Sequence, residues 1–199
     1  MDKGMFSCGV FIDLQKAFDT VNHSIILHKL SHYVIRGRVN DCFSSYLSNR
    51  IQTTQVGPHV SKKESTLCGV PQGSVLGPLL FLIYVNDIYM ASGKLTFYLF
   101  ADDTNLLYND KNLKSLETIV NRELFKVVGW LIANKLSLNI KKTKYIIFHP
   151  YQKHINYNIC FKACESRTKT FFGRYLTRFA ALTREIYICN RTTCCPIWK

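Results

Sequence analysis

The sequence predicts an α+β fold, an antiparallel sheet with helices packed against it. Three stretches carry that reading. Tyr98-Leu-Phe-Ala-Asp-Asp-Thr-Asn-Leu-Leu-Tyr108 sets apolar residues on both sides of two adjacent carboxylates, the pattern of two buried strands joined by a hairpin turn. Met5 to Leu14 is rich in strand formers and delivers Asp13 to its end. Asn112 to about Asn134 repeats Leu113, Leu116, Val120, Leu124, Val127 and Leu131 at helical spacing.

The intervening elements follow in order. Gln15 to Val21 is compact and turn-like, and Asn22 or Ser24 caps a helix running to about Val34 with Ile26, Leu27 and Leu30 on its core side. Asp41 to Asn49 reads as a second helix, Gln52 to Val60 as a strand ended by Gly57 and Pro58, and Lys62 to Ser65 as a solvated turn. Gly69-Val-Pro-Gln-Gly-Ser-Val-Leu-Gly-Pro78 holds too many glycines and prolines for a regular element. It opens into Leu79 to Ile88, apolar on nearly every side and hence a buried helix. A glycine-rich turn before a helix brings backbone N–H groups close to a ligand, phosphate above all, or merely serves a tight turn. After the long helix, Leu136 to Lys144 turns the chain into a last strand, Tyr145 to Phe148.

Composition narrows the function. With 47% hydrophobic and 13% aromatic residues, the 199-residue chain is a packed globule. Lys and Arg number 26 against 13 acidic residues, a formal charge of +13, which points to a polyanionic partner such as nucleic acid unless it is only a basic surface. From Tyr151 to Lys199 nine basic residues face two acidic ones, so about half the surplus sits in the last quarter. The eight cysteines lack CxxC spacing and no secretory leader is visible, so they read as reduced thiols of an intracellular protein. A zinc cluster from His154, Cys160, Cys164 and Cys194-Cys195 lacks recognised ligand spacing. His28 and His32 stand at i and i+4 without an HExxH pattern and read as solvated or partly packed. The longest apolar run, Val75 to Val85, contains Pro78 and is too short to span a bilayer, so no membrane role follows.

The carboxylates carry the chemistry. Asp102 and Asp103 form either a common solvated turn or an anion pair that needs a cation, and hard oxygens suit Mg²⁺. Joined by Asp13 from a strand end, they make the arrangement that two metal ions about 3.5–4 Å apart require for in-line phosphoryl displacement. With basic charge for a nucleic acid, that chemistry points to a polymerase.

Four motifs then carry a resemblance. Phe11-Ile-Asp-Leu-Gln-Lys-Ala-Phe-Asp-Thr-Val-Asn-His23 resembles the first palm motif of reverse transcriptases from non-LTR, jockey-like retrotransposons. Gly69 to Phe81 resembles their second motif, Phe100-Ala-Asp-Asp103 their third, and Trp130 to Phe148, with Asn139-Ile-Lys-Lys-Thr143, their fourth. The resemblance implies the palm of a right-hand polymerase fold and RNA-directed DNA polymerase activity. It makes Asp13 and Asp102 the principal metal ligands, with Asp103 assisting and the Leu14 carbonyl completing the sphere of two Mg²⁺ ions, Mn²⁺ being the alternative. Main-chain N–H groups around Gln15, Lys16 and Ala17 would face the incoming deoxynucleoside triphosphate. Phe18 would be the steric gate against a ribose 2′-OH, or else a core aromatic. Gln72 and Gly73 would contact the nascent base pair and template strand. Lys142 would protonate pyrophosphate, or be a surface lysine. Asp19 and Asp87 read as structural. The partners implied are an RNA template, a DNA primer, deoxynucleotides and a further element-encoded protein, with work in cytoplasm and nucleus.

Relatives carry fingers before the first motif and a thumb after the fourth. The expectation here is residues 1–150 as palm, with partial fingers between the first two motifs and most of the fingers and thumb missing. Residues 151–199 are then a basic segment in which Lys169-Thr-Phe-Phe-Gly173 resembles the start of a primer grip. A truncated copy leaves a second reading, a catalytically silent nucleic-acid-binding remnant. A third, an RNA-dependent RNA polymerase, is disfavoured by Phe18.

Overall fold

A computed structural model of the chain describes residues 4–148 and the backbone of residues 184–185. The basic segment, its primer-grip resemblance and the cysteines of the candidate zinc cluster lie outside the described residues. The chain divides into two compact units, one of Met1–Gln15, Ile88–Ala133 and Ser137–Lys199, the other of Lys16–Asp87 and Asn134–Leu136.

The first unit is a sheet with one long helix. Strands β1 (Phe6–Ile12), β6 (Thr96–Phe100), β7 (Asp103–Asp110), β8 (Lys144–Phe148) and β9 (Arg184–Glu185) form a sheet of order β6-β7-β1-β8-β9, every pair antiparallel. Side chains alternate between faces along each strand. Cys8, Val10 and Ile12 of β1, Leu106 of β7, and Tyr145 and Ile147 of β8 are buried on one face. Helix α4 (Leu113–Ala133) packs on β1 and β7, and all six residues of its expected stripe are buried. The opposite face carries Phe11, Tyr98 and Phe100, all exposed. The expectation of two buried hairpin strands is therefore corrected for β6. It is an edge strand, and Phe100 at 79% exposure lies on the uncovered face.

The second unit is helical with two small ribbons. Helix α1 (His23–His32) starts where expected, the Asn22 side chain accepting the Ile25 N–H at 3.2 Å. Helix α2 (Arg38–Leu47) begins three residues before the expected Asp41, because Gly37 at φ +60° serves as its cap. The single strand expected over 52–60 is instead four two-residue strands, β2 (Ile51–Gln52), β3 (Gln55–Val56), β4 (His59–Val60) and β5 (Glu64–Ser65), paired β3 with β4 and β2 with β5. Gly57 and Pro58 turn the inner ribbon rather than end a strand, and Glu64–Ser65 is a strand rather than a turn.

Helix α3 (Leu76–Val85) begins earlier than expected and takes in Gly77 and Pro78. Proline is tolerated there because first-turn N–H groups have no intrahelical acceptor. Ser74 Oγ accepts the Gly77 N–H at 3.0 Å and donates to the Pro71 carbonyl at 2.7 Å, folding the preceding turn onto the helix start. Leu80, Phe81, Tyr84 and Val85 are buried while Leu79 and Leu82 are exposed, so α3 has one core side. Among the described residues no helix is long and apolar enough to cross a membrane.

Candidate active site

Asp13 is the first residue beyond β1. Its backbone is clamped on both sides by the segment that precedes β8. The Asp13 N–H donates to Thr143 Oγ1 at 3.2 Å, and the Asp13 carbonyl accepts the Asn139 N–H at 2.8 Å. Leu14 bridges to Leu138, and the Gln15 N–H donates to the Ser137 carbonyl at 2.8 Å. Thr143 is buried and its hydroxyl donates to the Asn139 carbonyl at 2.8 Å, so this turn is itself closed. Lys142 sits on the same turn, exposed.

The hairpin delivers the other two carboxylates. Phe100 pairs with Asp103, leaving Ala101 and Asp102 as a two-residue loop. Ala101 has φ +52° while Asp102 is not among the positive-φ residues. A positive φ at the first loop residue alone marks a type II′ turn, where glycine is the ordinary choice. Alanine there is strained, and such strain concentrates at functional sites. Ile12 pairs with Thr104. Continuing that register by one residue sets Asp13 beside Asp103, on the open face that holds Phe11, Asn105 and Tyr98.

Asp102 and Asp103 are exposed and Asp13 half-buried. None of the three carboxylates has a hydrogen-bond or ion-pair partner among the described residues. Nor do the described residues include a group of three or more His, Cys, Asp or Glu side chains close enough to hold a metal. The donor set still fits a hard cation. Mg²⁺ is commonly held by one or two carboxylates, with water and substrate phosphate supplying the rest.

The second unit holds the remaining candidates. Lys16 takes φ +47° and accepts the Asp19 and Thr20 N–H groups, forming a tight turn over Ala17–Asp19. Phe18 is half-buried, its ring 4.7 Å from the buried Phe81 ring. Gln72 Nε2 donates to Asp19 Oδ1 at 2.8 Å. Gly73 has φ +78° with nothing within 4 Å of where a Cβ would stand.

Gly69 packs against the Asp19 backbone so closely that a Cβ would meet the Asp19 carbonyl oxygen at 2.8 Å. Its N–H donates to the Val21 carbonyl, and the Val70 N–H to the Phe18 carbonyl. The Ser74 and Gly77 amides are also spent inside the loop. Of the two roles open to this glycine-rich stretch, these four amides serve the turn and the close approach, not a phosphate cradle. Of the three amides expected to face the triphosphate, that of Gln15 donates to the Ser137 carbonyl instead.

A model of the family described as reverse transcriptase (RNA-dependent DNA polymerase) matches residues 2–174. The chain belongs to the reverse transcriptases. It is 32% identical over 141 residues to a probable RNA-directed DNA polymerase from transposon BS of Drosophila melanogaster, covering 67% of this chain and 16% of that protein. It is 26% identical over 155 residues to the RNA-directed DNA polymerase from mobile element jockey of the same organism, covering 74% of this chain and 17% of the relative. These place it with the jockey-like non-LTR group, and the chain spans about a sixth of those relatives' length. Two structures of telomerase from Candida tropicalis share the fold at TM-score 0.53 with 12% and 11% identity. They cover 71% and 90% of this chain, and 26% and 35% of theirs. The right-hand polymerase fold is thereby established, and reverse transcriptases as a family use divalent metal.

Three features of this reverse transcriptase are absent from the sequence reading. Thr143 and Asn139 hold the Asp13 backbone, and only their place in the fourth motif hinted at it. Asp19 orients Gln72. Glu123 is fully buried, its carboxylate accepting from Ser92 Oγ at 2.8 Å, Lys126 Nζ at 2.8 Å and Arg122 Nε at 3.1 Å. Asp87, expected to be structural, pairs with Lys29 at 2.5 Å. Burial lowers the Lys29 ammonium below the ordinary lysine range, with Asp87 working against it.

Proposed function

We propose that this chain is the palm of an RNA-directed DNA polymerase and adds deoxynucleotides to a DNA primer 3′-OH on an RNA template. One observation carries the reading. The β1–β7 register and the strained Ala101-Asp102 turn set Asp13 and the adjacent Asp102 and Asp103 at one end of one sheet, from two chain segments. Family membership supports a template of RNA, and the +13 charge supports a polyanionic partner whose binding weakens with salt.

Asp13 and Asp102 would hold two Mg²⁺ ions, or Mn²⁺, with Asp103 and the Leu14 carbonyl assisting. Bound there, such ions supply activation of the attacking hydroxyl and charge neutralisation at the leaving oxygen. The chain's own residues do the rest. The clamp from Asn139 and Thr143 fixes the strand end that carries the Asp13 carboxylate. The Lys16 and Ala17 amides face the triphosphate, and Gln72, oriented by Asp19, and Gly73 contact the nascent pair and template. Phe18 excludes a ribose 2′-OH by occupying its space. Lys142 donates a proton to the departing pyrophosphate.

Primer extension on an RNA template with a DNA primer, Mg²⁺ and deoxynucleotides tests the proposal, with an Asp102→Ala protein run beside the parent. Extension by the parent that is lost in the variant supports it. Equal extension by both, or none by either with RNA binding retained, refutes it.

A further inference from the structure

On α1, two imidazoles with no role above lie close together. His28 and His32 stand one turn apart and both are exposed. Their Nε2 atoms lie 3.0 Å from each other, with ring centroids 4.6 Å apart and planes at 81°. Side chains four residues apart on a helix are neighbours, and here the two Nε2 atoms come within hydrogen-bond distance of each other.

We propose that His28 and His32 form a chelating site for a borderline-soft divalent transition metal, with water completing the coordination. The distance supports this chemistry. Two nitrogens each about 2.0–2.1 Å from one metal are about 2.9 Å apart across a right angle and about 3.4 Å apart across a tetrahedral one. The observed 3.0 Å, the length of an N–H···N hydrogen bond, lies within that range, so small side-chain rotations let both nitrogens meet one metal. Without metal, one ring donates its Nε2 proton to the other. Moving that proton to Nδ1 frees both Nε2 lone pairs, which a small rotation of each ring turns towards one metal.

The cations nearest in the chain are engaged elsewhere, Arg36 donating from Nε to the Ser31 carbonyl at 3.1 Å. The ammonium of Lys29, next to His28 in the chain, is bound to Asp87 and to the Tyr84 carbonyl at 2.6 Å. The third histidine of the helix, His23, is committed elsewhere, its Nε2 lying 2.7 Å from the Gly69 carbonyl oxygen. Hard Mg²⁺ prefers oxygen and does not compete for two imidazoles. The site rests on α1 alone and is independent of the polymerase reading.

Calorimetric titration of the whole, tag-free chain with Ni²⁺ in excess Mg²⁺ tests the site, with thermal unfolding run with and without Ni²⁺. The parent should bind Ni²⁺ and melt at a higher temperature when loaded, since a ligand of the native state stabilises it. His28→Ala and His32→Ala should each weaken that binding at least tenfold and abolish the shift, and the double variant should be no weaker than either. His28→Gln and His32→Gln, which keep size and polarity, should lose as much. His59→Ala, at another exposed histidine, should change nothing. A loss under tenfold in either histidine variant, or a loss in His59→Ala, overturns the proposal.

Discussion

Thr143→Val asks whether the clamp on Asp13 matters. Thr143 is 1% exposed, and valine has nearly its shape, so the change replaces one hydroxyl by one methyl. The Asn139 carbonyl loses the hydroxyl but keeps the Thr143 N–H at 2.9 Å and the Lys142 N–H at 3.2 Å. The Asp13 N–H loses its only acceptor given among the described residues. An orphaned donor of this kind costs about 1–3 kcal/mol, offset by up to about 1 kcal/mol for the extra buried methyl. The net expectation is a loss of about 1–2 kcal/mol in urea unfolding. Thr143→Ser is the matched control: it keeps the oxygen and gives up one methyl, about 1 kcal/mol. Stability therefore separates the two variants weakly, but primer extension separates them well. A carboxylate displaced by about 1 Å costs on the order of a hundredfold in rate. Valine should accordingly lower kcat by about ten- to a hundredfold with little change in the nucleotide KM, while serine stays within about threefold of the parent. If serine is as slow as valine, the hydroxyl is not holding Asp13 and the clamp is wrong.

Three further outcomes are expected. Burial alone would raise the Glu123 carboxyl, yet hydrogen bonds from Lys126, Ser92 and Arg122 outweigh it and bring the group from 4.5 to about 2. Its contribution to stability is therefore complete above about pH 4.5 and lost as pH falls from there towards about 2. Glu123→Gln should flatten the fall of the urea midpoint across that window, and an unchanged slope would contradict the assignment. Ala101→Gly removes a left-handed strain of about 1–2 kcal/mol and adds about 0.4–1 kcal/mol of unfolded-state entropy. The variant should come out level or up to about 1 kcal/mol more stable in urea, whereas Ala101→Val should be less stable than the parent. Phe18→Ala should narrow the preference for deoxy- over ribonucleotides in extension assays while losing the ring contact with Phe81, worth about 0.5–1.5 kcal/mol. A preference that survives intact would return Phe18 to the role of a packed aromatic.

Periodicity made the first unit legible. In β1 and α4 one face meets the core, so burial writes itself into the residue pattern at period two or 3.6. The two ribbons of residues 51–65 escaped for the opposite reason. Every residue there is exposed, so no face selects a pattern and one long strand reads as well as four short ones. Glu123 leaves a mark in the sequence as well. It stands three residues after Val120 and four before Val127, on the buried stripe itself, and a lone charge at such a spacing announces a buried network. The fate of the glycine-rich stretch could not be read from the chain. Whether its amides met a phosphate or the carbonyls of Phe18 and Val21 depends on contacts between residues distant in sequence.

The site itself is assembled by backbone. Lys and Arg number 26 in this chain, yet no described cation meets Asp13, Asp102 or Asp103. Two acids elsewhere are paired, Asp87 with Lys29 and Glu123 with Arg122 and Lys126, while Asp19, Asp41, Asp110 and Glu64 also meet no described cation. The three site carboxylates are held by a strand register, by a turn with alanine where glycine is usual, and by Thr143 and Asn139 gripping main-chain atoms. Gripping the main chain leaves every carboxylate oxygen available to an incoming charge. A protein cation in the same place would neutralise the pair and compete with whatever the site is built to receive. Under the proposed function, an entering metal ion would meet carboxylate oxygens that need not first be freed from a protein partner.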